Sequence, residues 1–421
     1  MRAPSNLTFD RRDFLRGATA LTAAGVSGLA TAQQPGQPNA DNAVSLSQLH
    51  APTEAPEKTP GPFEAPDQRI GFAVVGLGHL TLNQILPAMA KSKYCKPVAL
   101  VSGSPEKARK MAAQYGIRPE AIYDYASYDR LARNPEVKVI YIVLPNSMHA
   151  EFVIRGARAG KHILCEKPMA TSAADCERMI AACKAADVKL MIAYRQQYEP
   201  MNRALGKMIR EGKLGSLRTI IASNTQDQGD PTQWRQNRKL GGGGCLPDVG
   251  IYCLNAARFL SGEEPTEVFG ATWQPTDDPR FKEVEASCTF TLRFPSGLLA
   301  TCSSGYAGHR SQFLRLECAD GWAELNPAFG YTGLKLRSSR LVDGHETIME
   351  PKIEEQDQFA LEMDHMALCV MQNTNPHTPG EEGLHDQRLV EAIYESARTG
   401  RSVKVPPPPA PTRGPELPPK S

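Results

Sequence analysis

What the 421-residue sequence lacks narrows its function before any motif is read. It has no charge of one sign to spare. Residues 1–32 hold four arginines against two aspartates, so of 48 basic and 46 acidic residues in the chain, 44 of each remain beyond them. Binding a nucleic-acid backbone rests on clustered Lys and Arg, so a neutral body speaks against that partner and for a small, uncharged substrate. No apolar run reaches the ~20 residues of a membrane-spanning helix. The ten cysteines include no Cys-x-x-Cys pair and no regular spacing. Cys176 and Cys183 share a helical face with Ile180, and Cys288 falls in phase with Val284, Ala286, Phe290 and Leu292, which predicts core thiols rather than bridges. His309, His345, His365, His377 and His385 are dispersed, with no pair at metal-ligand spacing beside carboxylates, so no metal is expected. A Gly-x-Ser-x-Gly elbow and a phosphate loop ending in Gly-Lys-Ser/Thr are both missing, which leaves hydrolase and kinase chemistry without support.

What is present begins with an address. Arg11-Arg12-Asp13-Phe14-Leu15-Arg16, a weakly apolar stretch from Gly17 to Leu29 and a small-x-small site at Ala30-Thr31-Ala32 read as a twin-arginine signal peptide over residues 1–32. The expected location is therefore periplasmic or otherwise exported, with the twin-arginine translocation machinery as a partner. Core thiols fit folding in the reducing cytoplasm before export. Residues 33–68, rich in Pro, Gln and Ala, read as an extended arm or linker, and the Pro-rich tail at 406–421 is expected to be unpacked.

With 41% hydrophobic and 22% charged residues, the body between arm and tail suits two soluble domains. From 69 to 196 apolar strands alternate with helical patterns, predicting a parallel sheet with crossover helices and strands at 71–75, 97–101, 139–144, 162–165 and 189–193. Ser172-x-x-Asp175 opens one helix, whereas Pro87 demands a late start or a kink in another. From 197 to 405 the period shifts to two. Turns at Pro295-Ser296-Gly297 and Asp320-Gly321 predict an α+β domain with a large, mostly antiparallel sheet, followed by helices carrying Phe359, Met363, Met366 and Val370 and then Leu389–Arg401.

Chemistry concentrates at the sheet's carboxyl edge. Gly76-x-Gly78 follows a strand and precedes a helix, where backbone amides cradle a pyrophosphate, although Thr81 replaces the third glycine. The second strand ends in Ser102-Gly103-Ser104 with Lys107 and Arg109 after it: small hydroxyls backed by cations suit the 2′-phosphate of NADP better than NAD. Cys165-Glu166-Lys167-Pro168 ends another strand and projects Lys167 toward the nicotinamide. Leu144-Pro145-Asn146-Ser147-Met148-His149 precedes it. Gly241–Gly244 leads into Asp248-Val249-Gly250-Ile251-Tyr252 beyond it.

Together with Ile122-Tyr123-Asp124-Tyr125 and Pro200-Met201-Asn202-Arg203, these stretches resemble the glucose-fructose oxidoreductase and inositol dehydrogenase (Gfo/Idh/MocA) family, most of all its periplasmic glucose-fructose branch, over about residues 65–402. The resemblance implies a Rossmann domain followed by an α+β domain, tightly bound NADP and a homo-oligomer, tetramer or dimer, whose N-terminal arms reach a neighbour's cofactor. It implies Lys167 and Tyr252 as the catalytic pair, with Asp248 orienting the sugar. Tyr252 takes the hydroxyl proton while Lys167 stabilises its phenolate. Gly76, Leu77, Gly78, His79, Leu80, Ser102, Lys107, Arg109, Tyr125, Leu144, Pro145, Asn146, His149, Glu166, Lys167 and Arg195 fall at cofactor positions, and Trp234, Arg235 and Tyr331 at the sugar. The chain departs from the branch at Arg195-Gln196-Gln197-Tyr198 and around Asp227–Trp234, segments expected to line the sugar pocket, so the sugars stay open. The implied activity oxidises an aldose to its lactone and reduces a second sugar to an alditol. An ordinary NAD(P)-dependent aldose dehydrogenase, a noncatalytic sugar or NADP-binding protein, and a glycosidase using nicotinamide transiently are the alternatives.

Overall fold

The computed structural model describes residues 68–417, so the signal and the arm as far as residue 67 lie outside the described residues. The first layer is a six-stranded sheet of β1 (Ile70–Val75), β2 (Cys95–Val101), β3 (Ile122–Tyr123), β4 (Val137–Ile142), β5 (His162–Glu166) and β6 (Leu190–Ala193). Its order is β3-β2-β1-β4-β5-β6 and every pairing is parallel. That is the doubly wound arrangement, and the five expected strands all take part in it. Being covered on both faces, the strands are almost wholly apolar; Phe72, Val74, Ile140 and Leu164 are fully buried. The Ser172 hydroxyl caps the helix Ala173–Ala185 by accepting from the Asp175 amide at 3.2 Å.

Pro87 is accommodated by a change of helix type. Thr81–Ile85 winds as a π-turn and Leu86–Lys91 as an α-helix, so the proline falls in the first turn of the α-helical segment, where the helix changes type.

The second layer is a nine-stranded sheet: β7 (Leu217–Asp227), β8 (Glu267–Trp273), β9 (Ser287–Arg293), β10 (Leu299–Gly305), β11 (Ala307–Cys318), β12 (Gly321–Leu325), β13 (Leu336–Val342), β14 (His345–Met349) and β15 (Val403–Lys404). All its pairings are antiparallel except β7 with β10. Both expected turns join strands, 295–297 between β9 and β10 and 319–320 between β11 and β12. One face packs on helices Ile251–Ser261 and Gly380–Thr399, and Phe290, Leu292, Cys302 and Leu314 are buried beneath them. Nine of the ten cysteines are buried, eight of them in the two cores.

Two expectations need correction. The last helix begins at Gly380, nine residues before Leu389. Glycine is a poor helix former, but a Cβ at Gly383 would stand 2.9 Å from Met169 and one at Gly380 would stand 2.8 Å from Leu190, so close approach to the first layer overrides propensity. The tail is also packed where described. The fully buried Arg258 guanidinium meets Glu264, Glu382 and Asp386, and Thr412 donates to Glu264 at 2.6 Å and to Glu382 at 3.0 Å. A buried acidic cluster needs donors, and the tail supplies them. No helix among the described residues is long and apolar enough to cross a membrane.

Candidate active site

A cavity of about 690 Å³ runs from the carboxyl edge of the first sheet to the inner face of the second. At one end β1 turns through Gly76 at φ +94°, where a Cβ would lie 2.1 Å from the Val143 carbonyl; only glycine fits. A Cβ on Gly78 would meet nothing within 4 Å, so the loop leaves open space where a pyrophosphate needs backbone contact. In place of the third glycine, the Thr81 hydroxyl donates to the Gly76 carbonyl at 2.6 Å and ties the loop to the helix. Ser102 accepts from the Ser104 amide at 3.1 Å, and the Lys107 ammonium donates to the Leu77 carbonyl at 3.2 Å. The loop, the hydroxyls and the cation thus converge, with Tyr125, Leu144, Pro145 and Asn146 along the same wall beside Leu77, His79 and Leu80. These residues fit a dinucleotide.

Two residues expected here stand outside the lining. Arg109 is exposed on the helix Pro105–Gln114. His149 is buried with its ring nitrogens at 3.0 Å from the Pro168 carbonyl and 2.9 Å from the Leu144 carbonyl. Burial lowers its pKa, and it acts as a strut between two cavity loops.

At the other end, Lys167 leaves β5 and donates to the Asp248 carbonyl at 2.7 Å and to Asp248 Oδ1 at 3.1 Å. Its Nζ lies 4.5 Å from the centre of the Tyr252 ring. Burial opposes the ammonium charge, but Tyr252, Asp248 and Glu166 outweigh it and raise the pKa. Asp248 Oδ2 accepts from the Tyr306 hydroxyl at 2.6 Å and meets Arg235 Nε at 3.1 Å. Burial works against this carboxylate too, yet Lys167 and Arg235 hold its pKa well below the usual range. Asp248 and Tyr252 flank the start of the helix Ile251–Ser261, one turn apart, and so face the same lysine.

Arg195 is almost fully buried behind Tyr252, its guanidinium 4.8 Å from that ring and 4.5 Å from the ring of Tyr331. It donates to the Phe329 carbonyl at 2.9 Å and the Gly330 carbonyl at 3.2 Å, pinning a loop in which Phe329 holds φ +61°. Glu166 accepts from Tyr141 at 2.7 Å, and the same hydroxyl reaches Glu362 at 3.4 Å. Burial, then Glu166, raises the Glu362 pKa far up, which favours the protonated carboxyl. Trp234, Arg235 and Tyr331 line the cavity, as does the preceding segment at Asp230, Thr232 and Gln233. Gln196, Gln197 and Tyr198 do not line it. They are buried behind it, where Gln197 donates to Glu382 at 3.0 Å.

Sequence reasoning missed the opposite wall: Asn224, Gln226 and Gln228 from β7 and its exit, with Gln312 from β11 donating to Asn224 at 2.9 Å. The signal was legible in principle, since amides at alternate positions of one strand share a face. Neutral amides of this kind recognise hydroxyls by both donating and accepting.

A doubly wound sheet whose glycine turn opens toward a half-buried Lys-Asp-Tyr cluster defines a dinucleotide-dependent oxidoreductase. Residues 70–194 match the oxidoreductase family with an NAD-binding Rossmann fold, GFO_IDH_MocA, and residues 202–324 match the GFO/IDH/MocA C-terminal domain. The chain belongs to this family. It is 33% identical over 347 residues to the D-xylose 1-dehydrogenase [NADP(+)] of Haloarcula marismortui, covering 81% of this chain and 94% of that one. With D-xylose 1-dehydrogenase (NADP(+)) 2 of Haloferax volcanii it shares 29% identity over 79% of this chain and 99% of the other. Among solved structures, the aldose-aldose oxidoreductase from Caulobacter crescentus complexed with glycerol is 44% identical, with a TM-score of 0.77 over 80% of this chain and all of that one. The protein is an NAD(P)-dependent sugar oxidoreductase.

Proposed function

We propose that the protein is an NADP-dependent enzyme that oxidises an aldose to its lactone and reduces a second sugar to an alditol on one retained cofactor. The observation that carries this reading is the Lys167 ammonium 4.5 Å from the Tyr252 ring, in the cavity that begins at the Gly76 turn. Bound nicotinamide takes up and returns a hydride at C4. Tyr252 then receives the proton of the sugar's C1 hydroxyl as the hydride leaves C1, and Lys167 stabilises the resulting phenolate. In the return step Tyr252 gives that proton to a carbonyl oxygen as its carbon gains the hydride. Ser102 and Lys107 support a 2′-phosphate, and similarity to an aldose-aldose oxidoreductase supports sugars on both sides of the cycle.

Retention of the cofactor is supported by the address: a folded enzyme exported through the twin-arginine pathway to the periplasm has no NADP pool to draw on. A homo-oligomer is supported by apolar side chains left exposed near both edges of the second sheet, Phe269 and Trp273 (57% exposed) on β8 and Leu341 (69% exposed) and Ile348 on β13 and β14. A tetramer or dimer would cover these side chains, and light scattering would measure it.

The test is to incubate freshly purified protein with aldose and ketose without added cofactor. Aldonolactone and alditol should form together. Lactone appearing only with free NADP would overturn the coupled cycle and leave an ordinary aldose dehydrogenase, the reading favoured by similarity to the xylose dehydrogenases.

A further inference from the structure

Asp248 carries more partners than an orienting carboxylate needs, and they come from three places. Lys167 extends from the end of β5 and holds Oδ1 at 3.1 Å. Arg235 sits in the short turn Trp234–Gln236, lies 3.1 Å from Oδ2 and stacks 4.6 Å from the Trp234 ring. Tyr306 follows directly on β10 and donates to Oδ2 at 2.6 Å. Of the three, only Tyr306 is fully buried and fixed by its own backbone: its N–H donates to the Ala286 carbonyl at 2.7 Å, and its carbonyl accepts from Gln228 at 2.8 Å.

We infer that Tyr306 is a positioning residue of the reaction, acting through Asp248: its hydroxyl fixes the carboxylate so that Oδ1 always faces Lys167. The consequence reaches the reacting atoms. An ammonium has three donors, and Asp248 takes two of Lys167's with its carbonyl and Oδ1. With those two fixed, one donor is left over, and the Tyr252 ring centre lies 4.5 Å from Nζ. The phenol of Tyr306 keeps its own proton, because burial first and the Asp248 charge second push its pKa far up, so it is the donor in this contact. Without the Tyr306 hydroxyl, Oδ2 would be left to the half-buried Arg235, and a carboxylate held on that side by Arg235 alone could turn and release the lysine from that alignment without emptying the site.

This inference rests on the proposed sugar oxidation for one readout and is independent of it for the other. Tyr306→Phe keeps the ring and removes one hydroxyl. In the full-length holoenzyme kcat should fall about tenfold while KM for the sugar changes less than about threefold, the pattern of a lost transition-state interaction. Combined with Asp248→Asn, it should add almost nothing to that variant's loss; additive losses would show that Tyr306 does not act through Asp248 and overturn the inference. The activity-free readout is labelling of Lys167 by an amine-reactive reagent, followed by peptide mapping across a pH series. Tyr306→Phe should move half-labelling to lower pH as the lysine loses its ordered partner, with Glu166 and Tyr252 left in place. An unchanged labelling curve refutes the inference even if no aldose is oxidised, whereas a shifted curve without sugar turnover refutes only the proposed function. Should Tyr306→Phe fail to fold, 3-fluorotyrosine at that position keeps the packing and alters the donor's acidity. The curve should then shift, and an unshifted one overturns the inference.

Discussion

Replacing Asp248 with asparagine keeps the side chain's size and removes its charge, and the structure sets the cost. The carboxylate accepts from Lys167 at 3.1 Å and Tyr306 at 2.6 Å and pairs with Arg235 at 3.1 Å. An amide oxygen can serve only one side of this arrangement, while its NH2 faces a donor on the other. Two charge-assisted bonds, each worth about 1.5–3 kcal/mol, are therefore weakened, and two cations are left near each other without a counter-charge. The Asp248 side chain is only 14% exposed, so water recovers part of this and not most of it. The expected loss is about 3 kcal/mol in urea unfolding, and a comparable loss of transition-state stabilisation would be about a hundredfold in kcat.

The pH dependence sharpens the test. Because the folded pKa of Asp248 lies below the unfolded value of about 3.9, its stabilisation is complete above that value and fades only as pH falls through the folded one. The stability gap between wild type and Asp248→Asn should thus be constant from about pH 5 to about pH 8 and close in stronger acid. A gap below about 0.5 kcal/mol at neutral pH, or one that opens only above it, would refute the reasoning.

Gly76→Ala should lose at least ~2 kcal/mol and weaken the binding of added NADPH, read from its fluorescence, because a Cβ would lie 2.1 Å from the Val143 carbonyl; a wild-type melting curve would contradict the turn. Ser102→Asp places a carboxylate where a 2′-phosphate is proposed, so titration should show NADP weakened at least ~10-fold and NAD unharmed. Thr412→Val removes bonds to Glu264, Glu382 and Arg258 and should cost about 2 kcal/mol in urea unfolding, a loss that an idle tail would not produce. Glu362→Gln tests a group whose folded pKa is raised: the folded chain keeps a proton that the unfolded chain sheds, so wild type loses stability as pH rises above the unfolded value of about 4.3. The glutamine variant escapes that loss and should be the more stable by over ~0.5 kcal/mol at pH 8, and an opposite sign would mean that Glu362 is ionised.

Strand runs such as Phe72–Val75 and Val139–Ile142 were legible because a strand buried on both faces is apolar throughout, and Gly76 because its geometry admits little else. The convergence of Lys167, Asp248 and Tyr252 was legible only through resemblance. Eighty-one residues separate Lys167 from Asp248, and no local rule brings them together. Tyr306 and Glu362 were illegible for a different reason. A buried tyrosine or glutamate looks the same in sequence whether it faces a core or a reacting group; the register of β10 against β7 separates the cases for Tyr306, and the packing of the helix Gln358–Gln372 near Tyr141 does so for Glu362. The last helix was misjudged because Gly380 and Gly383 serve packing at a propensity cost.

The residues behind the cavity explain how groups from different layers can hold one geometry. Arg195 leaves the end of β6 and Tyr252 opens the helix that packs on the second sheet, so their 4.8 Å contact depends on how the two layers meet. Two residues after Arg195, Gln197 donates to Asn255 at 2.8 Å and to Glu382 at 3.0 Å. Three residues after Tyr252, Asn255 donates to the same Glu382 at 2.9 Å. Glu382 stands in the first turn of the helix Gly380–Thr399, and it also accepts from Arg258 at 3.1 Å, Thr412 at 3.0 Å and Arg413 at 3.3 Å. A single buried carboxylate therefore ties the strand that carries Arg195, the helix that carries Tyr252 and the tail into one polar network. In such a network each bond depends on its neighbours, so the tail stabilises the distance between a guanidinium and a phenol that it never touches.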